Sequence, residues 1–259
     1  MRYLRLPAVS FFMLLSIGCF QGQRTFKVNA DGSGAIVDTT KLGEQAQGML
    51  KGLADMDKTS AAEKKAKQTT EYASKAGAMG EGVTFVSVET GKDGTDVATY
   101  AFKDITKVRA SGLPSPNANT NSKDEPVTFR LFKNAAGNTV LTVVAAKEKA
   151  ADPSAKAPAK ETPEAIQQQV TMIKRMMGGL KVKSVVEVNG AVVKTNGATA
   201  LGSAITLVEI DFDALDEAAL IKLSSAGSGG GPPTPAMMKG IKGIKVSEPE
   251  VTIEFKPLR

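Results

Sequence analysis

Four times along this 259-residue chain a dipeptide of glycine with Asp or Asn separates two segments of alternating apolar and polar residues: Asp31-Gly32, Asp93-Gly94, Gly137-Asn138 and Asn189-Gly190. Period-two alternation marks a strand with one buried face, and Asp, Asn and Gly are the residues that accept the positive φ of a tight reversal. Strands joined so briefly lie antiparallel, because a parallel neighbour needs a crossover of about a dozen residues or more. The predicted pairs are residues 25–30 with 35–37, 83–89 with 96–105, 127–133 with 139–145, and 181–188 with 191–194. A further strand follows over 204–210, and Val251, Ile253 and Phe255 define a last one.

Helical signals stand between these pairs. Leu42, Ala46, Met49, Leu50 and Leu53 recur at helical spacing. Ser60 and Glu63 have the spacing of a capping box, and Glu63 with Lys67 and Glu71 with Lys75 place each acid four residues before a base. The apolar positions of that helix are mostly alanine, which predicts a surface location. Thr162 can cap, and Pro163 can open, a helix that carries Ile166, Val170, Ile173 and Met177 on one stripe and stops at Gly178-Gly179. A short helix from about Asp213 carries Leu220 and Leu223. Hairpins interspersed with a few helices predict an α+β fold: an antiparallel β-sheet built from hairpins, with amphipathic helices packed on one face.

The chain contains no His, no Trp and one Cys. Without imidazole there is no Ser-His-Asp or Cys-His nucleophile and no His metal ligand, and one Cys makes neither an internal disulfide nor a thiolate zinc site. These absences predict a non-enzymatic protein with no cofactor. The formal charge of +6 is modest and Lys alternates with Glu along the chain, so no block marks a nucleic-acid surface.

The lone cysteine sits where it matters most. Arg2 and Arg5 precede an apolar run over 6–17, which ends in Gly18-Cys19. That run is shorter than the roughly 20 residues needed to span a bilayer and has the parts of an export signal. Residues 1–18 are therefore expected to be a signal peptide, 19–23 a lipid-anchored tether, 24–146 an N-terminal α+β region, 147–161 an Ala/Lys/Pro linker or disordered insertion, and 162–259 a C-terminal α+β region. Residues 111–126, rich in Ser, Asn and Pro, are expected as an exposed loop, and 227–235 as a flexible break.

Leu14-Leu15-Ser16-Ile17-Gly18-Cys19 resembles the lipobox of bacterial lipoproteins, whose cysteine thiol takes a diacylglycerol and becomes the new first residue. Leu15 stands one place further from the cysteine than in that pattern, and Ser16 with Gly18 also satisfies the small-x-small rule of an ordinary signal peptidase. The resemblance implies lipidation at Cys19, fatty acyl chains such as palmitate, a membrane partner through the anchor, and a place in the bacterial cell envelope. Because Phe20, not aspartate, follows the cysteine, it also implies the outer membrane. Residues 24–36 and 180–212 resemble uncharacterised lipoproteins of the LppM-like family, through the Asp31-Gly32-Ser33-Gly34 hairpin and the sequence Val193-Lys194-Thr195-Asn196. These motifs are structural turns, and the resemblance brings no catalytic residue.

Other clusters have a structural and a functional interpretation. Asp211, Asp213, Asp216 and Glu217 could begin a site for a hard cation, but they lack the spacing and glycine of an EF-hand loop, and acids at a helix start ordinarily cap its amides. Lys64, Lys65 and Lys67 could meet anionic lipid heads or form a solvated helix face. Met237, Met238, Lys239, Lys242 and Lys245 form a basic, flexible-looking patch that could touch an anionic surface or an adaptable partner, whereas such Met residues more often fill a core edge while the lysines keep it soluble. Asp31-Gly32-Ser33-Gly34 leads into a strand, as a turn does, and not into the helix of a phosphate-binding loop. Three functions follow: a lipid-anchored envelope protein with a binding or structural role, a carrier or chaperone enclosing an apolar ligand, and a carboxylate-dependent hydrolase using Asp211 and Asp213.

Overall fold

The computed structural model describes residues 20–43, 47, 48, 52, 60–113, 126–145, 163–227 and 238–258. The first turn signal closes a hairpin between β1 (Phe20–Val28) and β2 (Gly34–Leu42), with Gly32 at φ 89° and the Asn29 amide donating to the Ser33 carbonyl. The second and third join β3 (Thr84–Thr90) to β4 (Thr95–Phe102) and β5 (Thr128–Lys133) to β6 (Thr139–Val144), with Gly94 and Gly137 again at positive φ. The helix predicted to start at Ser60 is α1 (Ala61–Ala76), and the one predicted from Pro163 to the stop at Gly178-Gly179 is α2 (Pro163–Met177). The capping box is made in full: the Glu63 amide donates to the Ser60 hydroxyl and the Ser60 amide to the Glu63 carboxylate. The remaining elements are β7 (Lys181–Val188), β8 (Gly190–Thr195), β9 (Thr199–Leu201), β10 (Ala204–Asp211), α3 (Glu217–Gly227), β11 (Ile244–Val246) and β12 (Glu250–Pro257).

The strands form an eight-stranded sheet, ordered β11-β10-β7-β1-β2-β4-β3 with β9 also on β10, and a four-stranded sheet ordered β5-β6-β12-β8. The described pairings are antiparallel except that of β1 with β7. The fold is α+β with antiparallel-dominated sheets, as the hairpin pattern predicts. Strands from either side of residues 147–161 share both sheets, β1 with β7 in the larger and β6 with β12 in the smaller.

The fourth turn signal does something else. β7 and β8 do not pair: at Asn189-Gly190 the chain leaves the larger sheet and enters the smaller, where β8 pairs with β12. Gly190 does not adopt a positive φ. A Cβ there would lie 2.3 Å from the Lys256 carbonyl oxygen and 2.8 Å from the Phe255 ring, so the glycine permits close approach of two backbones. The Asn189 amide donates to the Val28 carbonyl at 2.9 Å, which ties the corner to the end of β1.

A second correction concerns the expected tether. Residues 20–23 are the start of β1: Phe20 pairs with Leu42, and Gln21, Gly22 and Gln23 lie between β2 and β7. Their backbone groups find partners on both flanks, which a solvated tether would lack. The expected helix over 42–53 falls largely outside the described residues, although Leu42 itself ends β2. The expected linker over 147–161, the loop residues 114–125 and most of the break over 227–235 also lie outside them.

Register places Phe26, Val28, Ile36, Tyr100, Phe102, Val186 and Val188 on one face of the larger sheet, where they form a single core with Phe129, Leu141, Val143, Val251, Ile253 and Phe255 of the smaller. Phe26 and Phe129 meet with ring centroids 5.0 Å apart. Toward the start of β1 the same face is covered by helices. Tyr72 of α1 reaches Thr40 and Asp96, while Val170 of α2 and Leu220 of α3 pack with Ile244 and Ile210 in a second apolar cluster. Among the described residues no helix is long and apolar enough to cross a membrane.

Candidate functional site

The opposite face of the larger sheet is polar, and its organisation follows from alternation. Gln21, Gln23 and Lys27 of β1, Thr39 and Lys41 of β2, Lys181, Lys183 and Glu187 of β7, and Glu209 and Asp211 of β10 share it. Register sets opposite charges side by side on neighbouring strands, the stabilising cross-strand arrangement. Lys183 lies 3.2 Å and Lys245 of β11 lies 3.3 Å from the Glu209 carboxylate, Lys181 donates to Asp211 at 3.0 Å, and Lys27 lies 3.7 Å from Glu187. Lys41 donates to Asp93 in the β3–β4 turn at 2.8 Å.

Where β1 begins, these side chains border an open trough of about 310 Å³, lined by Gln21, Gln23, Lys41, Lys181, Lys183 and Asp211 among others. Its electrostatics are balanced. Burial alone would raise the Glu209 carboxyl, but hydrogen bonds from Lys183 and Lys245 outweigh it and hold the group below its ordinary range. The hydrogen bond from Lys41, with those from Thr95, brings Asp93 down to about 2. The bond to Asp211 raises Lys181, so all three groups stay charged at neutral pH.

Cys19, the expected lipidation site, lies outside the described residues, and the residue after it is the first of β1. The four acids singled out in the sequence all accept hydrogen bonds within the fold, Asp211 and Asp213 sharing Lys181 at 3.0 and 3.7 Å. Asp211 accepts from Lys181 and from the Asp213 amide, Asp213 accepts from the Gly179 amide at 2.8 Å, Asp216 caps α3 through the Ala219 amide at 2.8 Å, and Glu217 accepts from Gln167 at 3.0 Å. Among the described residues no three Asp, Glu, His or Cys side chains gather as a metal site.

Lys64, Lys65 and Lys67 are exposed on α1. The C-terminal Met and Lys segment takes the core-edge arrangement, not that of a free basic patch. Lys239 pairs with Glu248 and Lys245 with Glu209, while Ile241 and Ile244 are buried and Met238 packs against them. Apolar residues at helical and strand spacing among the lysines draw the segment onto the second core, and only the lysine heads reach solvent. Met237 lies outside the described residues.

The trough residues Lys41, Lys181 and Lys183 carry no signal when each segment is read separately. The alternation Lys181-Val182-Lys183 does give their common face. The missing fact is the parallel pairing that sets Gln21 and Gln23 beside them.

No protein-family model and no curated protein matches the chain. Among solved structures it is similar to the folded domain of the Mycobacterium tuberculosis LppM protein, determined by NMR, at 12% identity and a TM-score of 0.30, over 93% of this chain and 91% of that chain.

Proposed function

We propose that the protein is a non-enzymatic, lipid-anchored component of the bacterial cell envelope with a binding or structural role, held at the outer membrane by acylated Cys19. The observation that carries this reading is the place of the sole cysteine: it follows an export-type apolar run and Gly18, and directly precedes the first residue of the sheet. Two acyl chains on that thiol give stable anchoring at about 0.8 kcal/mol per buried methylene.

The structural work done by Asp211, Asp213, Asp216 and Glu217 supports a role other than hydrolysis. A carrier would need an interior lined by the Val and Phe faces, and those faces pack against one another between the two sheets. Intact-mass analysis of protein extracted from membranes tests the proposal. The expected species begins at Cys19 and carries acyl chains, and Cys19→Ala is released from the membrane fraction. A free thiol on Cys19, or full membrane retention of Cys19→Ala, overturns it.

A further inference from the structure

We infer that the charge-bordered trough at the start of β1 is the surface this protein turns toward the bilayer, its lysines seating the phosphates and its carboxylates the ammonium groups of zwitterionic phospholipid heads. This inference rests on the acylation of Cys19 proposed above.

The connection between anchor and sheet has no slack. Phe20 is buried and already paired with Leu42, and Gln21, the second residue after Cys19, lines the trough. Two residues span at most about 7 Å of extended chain, comparable with the roughly 5–8 Å of headgroup region on each side of a bilayer. Lys41 and Lys181 are the register partners of Gln21 on its two flanks, so both lie about one strand spacing, ~4.8 Å, from it. A lipid attached to Cys19 therefore brings this end of the sheet to the headgroups.

The charge pattern selects the kind of head. Lys41, Lys181, Lys183 and Lys245 alternate with Asp93, Asp211 and Glu209, so the surface is neither a basic patch for an anionic leaflet nor an acidic one. Alternating signs match a head that carries both. The lysine side chains are 38–51% exposed, and ion pairs in that setting are weak and screened by solvent, so a lipid phosphate can replace a carboxylate with little net loss. The trough has room for a head of this kind at about 310 Å³. The far end of the sheet, where Leu201 stands 81% exposed, lies roughly 25 Å from the anchor at ~3.3 Å per strand residue.

The test uses the full chain, extracted from membranes, with acylation established by intact mass. It is reconstituted in phosphatidylethanolamine-rich vesicles that contain a little nickel-chelating lipid. Thr39→Cys in the trough, level with Gln23 of β1, and Leu201→Cys at the far end, level with Lys27, each carry a spin label, the acylated Cys19 being blocked. The expected result is severalfold stronger paramagnetic relaxation at 39 than at 201, reduced at 39 by the combined Lys41→Gln, Lys181→Gln and Lys183→Gln variant, whose fold is checked by circular dichroism. Equal or reversed relaxation at the two positions in acylated chains overturns the orientation. Relaxation at 39 that is indifferent to the three substitutions, or that appears only with phosphatidylglycerol vesicles, overturns the headgroup assignment. A free thiol in the mass spectrum is instead failure of the acylation reading, and the orientation falls with it.

Discussion

Arg24 faces Asp38 across the β1–β2 pair and grips its carboxylate with two bonds, Nε to Oδ1 at 2.7 Å and Nη2 to Oδ2 at 2.6 Å, on the face that a few residues along carries Phe26 and Ile36. Both residues are 6% exposed. The remaining Nη1 donates to the carbonyl and hydroxyl of Ser111, so the pair also pins the chain that leaves the β4 side of the sheet. A bidentate fork supplied with further acceptors is the form in which a buried guanidinium is tolerated.

Removing one partner leaves the other charge buried and uncompensated. Asp38→Ala and Arg24→Ala are each expected to destabilise the fold by about 3–5 kcal/mol, whereas Arg24→Met combined with Asp38→Leu loses far less than the two single losses together. Urea midpoints of the three variants decide the matter, and simple additivity would refute the coupling.

The two tyrosines beyond the expected signal peptide make an alkaline prediction. Burial, with the Asp96 carboxylate beside it, pushes the Tyr72 phenol up to about 12 although Thr40 donates to it, and burial next to Asp38 pushes Tyr100 higher still. A folded-state pKa above the unfolded one keeps its stabilisation below the ordinary value of 10.0 and loses it as pH rises through about 12. Tyrosinate absorbance should therefore appear late and together with the loss of circular dichroism. A phenol that titrates near its ordinary value while the sheet stays intact would show that neither ring is held as described.

Much of the fold could be read from local signals. Ser60 with Glu63, Pro163 with Gly178-Gly179, and Gly32, Gly94 and Gly137 each act within a few residues of themselves, so their chemistry is complete in the sequence. The buried ion pair was partly visible: Arg24 shares the parity of Phe26, and Asp38 that of Ile36, which places both charges inward. What stayed hidden depends on distant partners. Asn189-Gly190 has the composition of a turn, and only the approach of Lys256, 66 residues on, makes it a corner. The trough was hidden for the same reason, since β1 meets β7 across more than half the chain.

That corner can be tested by substitution. Gly190→Ala places a methyl group 2.3 Å from the Lys256 carbonyl oxygen, a backbone atom that cannot swing aside, and should destabilise by at least the roughly 1–3 kcal/mol of overpacking while loosening the β8–β12 pairing. Gly137→Ala, with open space but a φ of 79°, should lose only about 1–2 kcal/mol and leave β8 untouched. Amide exchange of β8 distinguishes the two variants. If both loosen β8 equally, or neither does, the close approach at residue 190 is not what the glycine serves.

At the rim of the trough, Asp93 offers a prediction with the opposite sign. Its carboxyl is brought to about 2, first by the hydrogen bond from Lys41 and then by the Thr95 hydroxyl and amide. A carboxyl depressed in the folded state lends its stabilisation above the unfolded value, near ~3.9, and loses it as pH falls through about 2. A carboxyl titration followed by NMR should find Asp93 still ionised where exposed aspartates have already protonated. Lys41→Gln should move its midpoint up toward the ordinary range while the Thr95 bonds keep part of the shift. If the midpoint does not move, the Lys41–Asp93 contact is absent in solution, and with it one of the exchangeable ion pairs through which the trough would receive a phosphate.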